Sequence, residues 1–284
     1  MLLGIVVVLS LLAAVGALLG SGIVAAVLTF VGSFLGLTVL VFLVVLLMAA
    51  VVDVDKEQKT HDRCYRWVAN AVIDMVIRLV RLRIHTEGLE KIPQDGRFLL
   101  VCNHLNDIDP VVLMHCFPKS DISFVSKKEN KHMFIIGPFM HRIQCQLIDR
   151  ENDRQALKTI LRCIQLIKED QVSIGVFPEG YVSLDGKLRH FRGGVFKIAQ
   201  KTGVPIVVCT IRNTRQALRD VLHLKSSDVT VHLLDVIPAE ALQGVSTVEI
   251  AEQVYEMIIA DLGEELRTDE KGMHPDLQRQ RMDQ

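Results

Sequence analysis

Charge enters this chain late. Met1 to Val52 contains no charged side chain, and its apolar run is relieved only by Gly, Ser and Thr. One bilayer span takes about 20 apolar residues, so the stretch is long enough for two. The pattern predicts a helical hairpin over residues 1–52, with arms from Leu2 to Leu19 and from Ile23 to about Val52. The turn is expected at Gly20-Ser21-Gly22, with Gly32-Ser33 as the alternative. The second arm is either longer than one span or broken near Gly32 to Gly36. A secretory signal fits poorly, because no Lys or Arg precedes the run and the run far exceeds an ordinary signal core.

From residue 53 the pattern takes helical period. Lys56, Lys59, Arg63 and Arg66 fall on one face, while Val68, Val72, Met75, Val76 and Leu79 recur beside Trp67. This predicts an amphipathic helix over 56–82, within an interfacial segment 53–84. Such a helix lies against anionic headgroups, packs on the following domain, or does both. Further on, apolar strand-like runs alternate with helical patterns. Strands are predicted at 83–86, 97–103, 122–127, 145–149, 172–177, 205–212 and 229–237. Helices are predicted at 110–116, 130–143 with a break at Gly137-Pro138, 154–168, 196–201 and 248–266. The alternation specifies an α/β domain over 85–267, with a mostly parallel or mixed sheet flanked by helices. Residues 268–284 read as a polar, frayed tail.

Half of the 284 residues are hydrophobic and the net charge is −1, so no basic excess points to nucleic acid. The basic flank at 56–66 places the domain on the cytoplasmic side of a membrane by the positive-inside tendency. The six cysteines show no C-x-x-C spacing and read as scattered reduced thiols. No run of Cys and His has metal-ligand spacing, so no metal is expected.

Candidate chemistry collects at predicted strand ends. The strand at 97–103 ends in Asn103-His104, and Asp109-Pro110 opens the next helix, as an Asp cap and a first-turn Pro favour. An imidazole and a carboxylate so placed form a carboxylate-oriented base. The spacing alone is weak, because His-x4-Asp recurs at His223 and Asp228; that copy lies in the polar stretch HLKSSD and is taken as a decoy. Lys127, Asp149-Arg150 and Glu179-Gly180 also follow predicted strands. In α/β sheets the ligand site lies beyond the carboxyl ends of strands, so this shared placement groups them. Arg150 suits bidentate phosphate binding, and Arg192 before Gly193-Gly194 adds to an anionic site.

Taken in order, NHLNDID, LIDR, FPEG and GVPIVV resemble the four sequence blocks of the glycerolipid acyltransferase family, the group containing the 1-acyl-glycerol-3-phosphate acyltransferases. The resemblance covers roughly residues 88–211. It implies that His104 is the general base toward the acceptor hydroxyl and that Asp109 orients the imidazole. It further implies that Lys127 and Arg150 hold the acceptor phosphate, that Glu179 and Gly180 complete that site with Asn103, and that Pro205 is structural or part of the donor site. The implied reaction passes an acyl group from an acyl thioester, on acyl-carrier protein or coenzyme A, to the sn-2 hydroxyl of 1-acyl-glycerol-3-phosphate at a bilayer surface. No cofactor beyond that co-substrate is implied. Two departures stand out. The third block reads Tyr181-Val182-Ser183 where the family commonly has Thr-Arg-Ser, and Val208 replaces a second proline. Arg189 or Arg192 is the expected substitute for the missing cation. The departures keep open a lysophospholipid acceptor with another headgroup. A non-catalytic membrane-anchored scaffold is the alternative from a different class.

Overall fold

The computed structural model of the chain describes residues 1–223 and 225–271. The N-terminal hairpin forms from α1, Leu2–Ser21, and α2, Ile23–Ala50. Gly22, at φ +87, is the whole connection. Both helices are long and apolar enough to cross a bilayer by length and composition, and most of their large side chains are exposed. At 1.5 Å per residue, α1 is about 30 Å long, which matches a hydrocarbon core.

The next helix begins later than its charge pattern predicts. Helix α3 spans Arg63–Leu79, because Asp62 caps it: one Asp62 carboxylate oxygen accepts from the backbone N–H groups of Cys64 and Tyr65. Residues 56–61 are not helical. Gln144 donates to the carbonyls of Gln58 and Thr60, and Arg162 and Gln171 donate to the carbonyl of Lys59. Arg66 leaves the expected basic face. It is buried, and its guanidinium donates to the carbonyls of Ile122 and Ile143 and to Ser123 Oγ. Those carbonyls need a donor in the core, and Arg66 supplies it.

The α/β domain is built on a seven-stranded sheet. Its strands are β1, Leu82–Glu87; β2, Leu99–Cys102; β3, Ile122–Lys127; β4, Gln146–Ile148; β5, Ser173–Val176; β7, Ile206–Arg212; and β8, Ser227–Ile237. Spatial order is β1-β8-β7-β2-β5-β3-β4, with β7 and β8 antiparallel and every other pair parallel. Between the strands run α4, Asp109–Cys116; α5, Ile136–Arg142; α6, Asp153–Lys168; α7, Lys197–Thr202; α8, Thr214–Leu222; and α9, Thr247–Leu262. A small second sheet pairs β6, Leu188–His190, with β9, Arg267–Lys271.

Strand alternation sends successive side chains to opposite faces, so one sheet supports two cores. Leu99, Val101, Ile174, Val176, Ile206 and Val208 pack against α6, α7 and α9. Leu100, Cys102, Val207, Cys209, Val229 and Val231 pack against α3, α4, α5 and the end of α2. Each fully buried Leu or Ile contributes about 1.5–3 kcal/mol, so the central strands, apolar on both faces, carry most of the stability.

Sequence patterning locates the seven main strands within a few residues. The break expected at Gly137-Pro138 is instead the start of α5, where proline is tolerated because first-turn amides need no helical partner. Three elements are not apparent in the pattern: β6, α8 and β9. The last of these means that residues 268–271, expected as part of a frayed tail, lie in a strand; residues 272–284 lie outside the described residues.

Candidate active site

Four neighbouring parallel strands, β2, β5, β3 and β4, deliver His104, Phe177 to Gly180, Lys127 and Arg150 at their carboxyl ends. His104 Nδ1 lies 2.8 Å from Asp109 Oδ2. The same oxygen accepts from the backbone N–H groups of Leu105, at 2.7 Å, and Asn106, at 2.9 Å. A buried oxygen taking three N–H donors is a carboxylate, which acts only as an acceptor. With two backbone N–H groups already on Oδ2, the His104 contact is an Nδ1–H donor, and in the neutral imidazole Nε2 is then the nitrogen that carries the lone pair. Asp109 is fully buried, and its Oδ1 accepts no hydrogen bond among the described residues. The imidazole stacks on Phe177, ring centroids 4.1 Å apart, and Phe177 stacks on Phe124.

His104 opens into a cavity of about 840 Å3. One part of its lining is apolar and comes from the helical layer: Ala69, Val72, Met114, Phe139, Met140 and Ile143 among others. The other part is polar: Lys127, Arg150 and Tyr181 come from strand ends and loops, and Arg215 from α8. Arg150 sits over the Tyr181 ring at 4.6 Å, and burial together with the nearby Arg192 charge holds its guanidinium below its usual range. Lys128 is committed to Asp149 at 2.6 Å.

The remaining expected residues stand behind the wall. Asn103 is buried, donating from Nδ2 to Ile211 O at 3.0 Å and accepting Ile211 N–H at Oδ1 at 2.8 Å. Glu179 is buried beneath the His104 loop, where it accepts the backbone N–H groups of His104, at 2.9 Å, and Arg189, at 3.1 Å. Burial pushes its carboxyl up to about 8, against those two donors. Gly180 has φ +84, and a Cβ there would lie 2.9 Å from Arg192 Nε, so this turn needs glycine. Arg192 is exposed and lies 5.6 Å from the Tyr181 ring centre, outside the cavity lining. Arg189 is buried and paired with Asp185 at 2.5 and 2.9 Å, so it does not fill the place left by Val182. The second His-x4-Asp copy does not form a pair. His223 Nδ1 lies 2.8 Å from the Arg219 carbonyl of its own helix, and Asp228 binds His85 and Arg83. Among the described residues no three His, Cys, Asp or Glu side chains converge as a metal site.

Residues 83–212 match the family model described as Acyltransferase, a span that holds His104, Asp109, Lys127, Arg150 and Glu179 but not Arg215. Among sequences similar to the chain, a protein of Mycoplasma pneumoniae is 32% identical over 147 residues, 48% of this chain and 54% of its own length. The 1-acyl-sn-glycerol-3-phosphate acyltransferase of Borreliella burgdorferi is 27% identical, covering 59% of this chain and 68% of its own. That of Saccharomyces cerevisiae is 26% identical, covering 71% and 65%. The chain thus spans between about half and two thirds of these relatives' lengths. In fold, it is similar to the crystal structure of the 1-acyl-sn-glycerophosphate acyltransferase PlsC from Thermotoga maritima. The TM-score is 0.56 at 20% identity, over 94% of this chain and 100% of that one.

Within this segment, the sequence pattern picks out the His–Asp pair and two cations, Lys127 and Arg150, that line the same cavity as His104. It misses Arg215, which lies three residues beyond the β7 strand on a helix too short and polar to stand out. The distinguishing signal is positional: Arg215 follows the fourth block.

Proposed function

We propose that the chain transfers an acyl group from an acyl thioester to the free sn-2 hydroxyl of 1-acyl-glycerol-3-phosphate, giving phosphatidic acid. The observation that carries this reading is a single cavity with an apolar helical lining, a cationic strand-end lining, and the Nε2 lone pair of an Asp-held histidine facing into it. Such a lining fits a molecule that is part hydrocarbon and part phosphate.

The chemistry follows from the tautomer. His104 Nε2 takes the hydroxyl proton as the oxygen attacks the thioester carbonyl carbon. Asp109, fixed by backbone N–H groups, stabilises the imidazolium that forms. Collapse of the tetrahedral intermediate breaks the C–S bond, and the departing sulfur takes the proton back from Nε2. No acyl-enzyme is needed. Lys127 and Arg150 hold the acceptor phosphate. Asn103, Glu179 and Gly180 keep the loops that carry the reacting groups in register.

The hairpin α1–α2 anchors the enzyme in the bilayer, and Lys56, Lys59 and Arg63 place the domain on the cytoplasmic face, where a soluble acyl-carrier protein or coenzyme A thioester arrives. Val182 in the cavity wall supports a second reading, a lysophospholipid acceptor with a larger headgroup. Purified protein in mixed micelles, given lysophosphatidic acid and either acyl-carrier-protein or coenzyme A thioester, is expected to produce phosphatidic acid by mass spectrometry. Acylation of lysophosphatidylglycerol or lysophosphatidylcholine in preference to lysophosphatidic acid selects the second reading. Consumption of no thioester with any lysolipid overturns both.

A further inference from the structure

The third block of this chain carries Val182 where its family commonly carries arginine, and neither Arg189 nor Arg192 lines the cavity. A different guanidinium does. Arg215 is half-buried on α8 and lines the same cavity as His104, Lys127, Arg150 and Val182. We infer that Arg215 is a specificity-determining residue that binds the acceptor's phosphomonoester from α8, replacing the cation absent at Val182. The inference rests on the acyl-transfer reading above.

Three observations support it. First, Arg215 is tied directly to the third block and through it to the base. Its Nη2 donates to Ser183 O at 3.3 Å, and Ser183 N–H donates to His104 O at 2.9 Å. One residue therefore separates the guanidinium's anchor from the backbone of the histidine. Val182 immediately precedes that anchor, so a cation placed on α8 reaches the region that a residue-182 side chain would serve.

Second, the helix start is held in place. Asn103 next to His104 pins both backbone groups of Ile211, near the end of β7. Asn213, at φ +68, then turns the chain into α8, and Thr214 and Ala217 are buried beneath it. Arg215 is thus presented from a rigid corner rather than from a loop.

Third, the charges around the cavity leave Arg215 available to an anion. Of the acidic residues in the lining, Asp149 is paired with Lys128, and Asp107, Glu129 and Glu151 are exposed. Asp185, near Arg215, is bound bidentately by Arg189. Burial holds the Arg215 guanidinium below its usual range, with the Arg219 charge adding to the effect; a phosphate would relieve both. Arginine matches a phosphate with two parallel donors, which a point charge does not.

The decisive variant is Arg215→Gln, which keeps a polar side chain on α8 but carries no charge. The expected result is a KM for lysophosphatidic acid raised about tenfold or more, with kcat and the KM for the acyl thioester little changed. Adding Val182→Arg to Arg215→Gln is expected to restore most of the loss, an outcome a merely structural role would not produce. An unchanged acceptor KM overturns the inference. So does a rise in the thioester KM instead, which would put Arg215 on the donor's phosphates. Displacement of a fluorescent lysophosphatidic acid from the solubilised protein reads affinity without turnover. Wild-type protein that binds the lipid more tightly than Arg215→Gln but does not acylate it defeats the acyl-transfer reading and supports Arg215. Equal binding by both proteins overturns the inference whatever the activity.

Discussion

Asn103 treats Ile211 as a strand partner. Its side-chain amide donates to the Ile211 carbonyl and accepts from the Ile211 N–H, one residue past β2 and one residue before the end of β7. The two strands are thereby held together where the backbone ladder stops, with His104 leaving on one side and α8 on the other.

Asn103→Ala is therefore expected to leave both backbone groups of Ile211 buried without partners, at a cost of about 2–5 kcal/mol. Asn103→Asp should be worse, since it loses the donor and buries a charge. Chemical denaturation in detergent would check this. A cost below about 0.5 kcal/mol, the size of an ordinary surface change, would show that the pairing contributes little.

His104→Ala is expected to lower kcat by about 100-fold to 10,000-fold, the usual range for a positioned base. His223→Ala should leave kcat unchanged and stability within about 0.5 kcal/mol, because its ring is exposed and among the described residues bonds to a carbonyl of its own helix. Steady-state assays of the two variants side by side separate a true His–Asp pair from a sequence coincidence. Comparable loss in both would refute the assignment.

Asp109→Asn keeps an oxygen for the three N–H donors but puts an NH2 where Oδ1 accepts nothing among the described residues. The buried donor costs about 1–3 kcal/mol of stability. Catalysis loses the charge that balances the imidazolium, so kcat should fall by at least about 100-fold while acceptor KM stays near wild type. A rise in KM with kcat preserved would place Asp109 in binding instead.

Glu179 gives the protein a pH signature. Its folded carboxyl titrates near 8, above the ordinary 4.5, chiefly because it is buried. Between those values the folded state holds a proton that the unfolded chain has released, so stability falls as pH rises through this window and levels off above it. Thermal melts from about pH 5 to about pH 9 should show the decline in wild type and a much flatter profile in Glu179→Gln. The Gln variant should also be less stable near pH 5 by about 1–3 kcal/mol, since one of the two backbone N–H groups loses its acceptor. Identical slopes would assign the effect to other groups.

Much of this protein is legible before folding is considered. Uncharged residues 1–52 specify the hairpin, and the φ +87 turn falls at Gly22, inside the Gly-Ser-Gly triplet that marks it. Helical and strand periods place the main elements, and the strand-end rule brings His104, Lys127 and Arg150 to one cavity while Glu179 lies behind its wall. These features depend on neighbours a few residues apart, which is the range over which periodicity and capping act.

What the sequence alone does not reveal is decided by groups that meet only when distant segments close. Arg66 reads as one of four basic residues on a face, yet in the folded chain its guanidinium is buried against the carbonyls of Ile122 and Ile143. The antiparallel β7–β8 pair, inside an otherwise parallel sheet, follows from which strands become neighbours, and strand β9 is charged and pairs through its backbone. Arg215 belongs to a nine-residue helix that is too short to stand out in the sequence, and it lines the cavity from just beyond the β7 end that Asn103 holds through Ile211. By itself the sequence determined the elements, the membrane-length hairpin and the His–Asp pair. The tertiary structure decided which cations share their cavity and which are spent on buried carbonyls and carboxylates, because a charge finds its partner only in the packed chain.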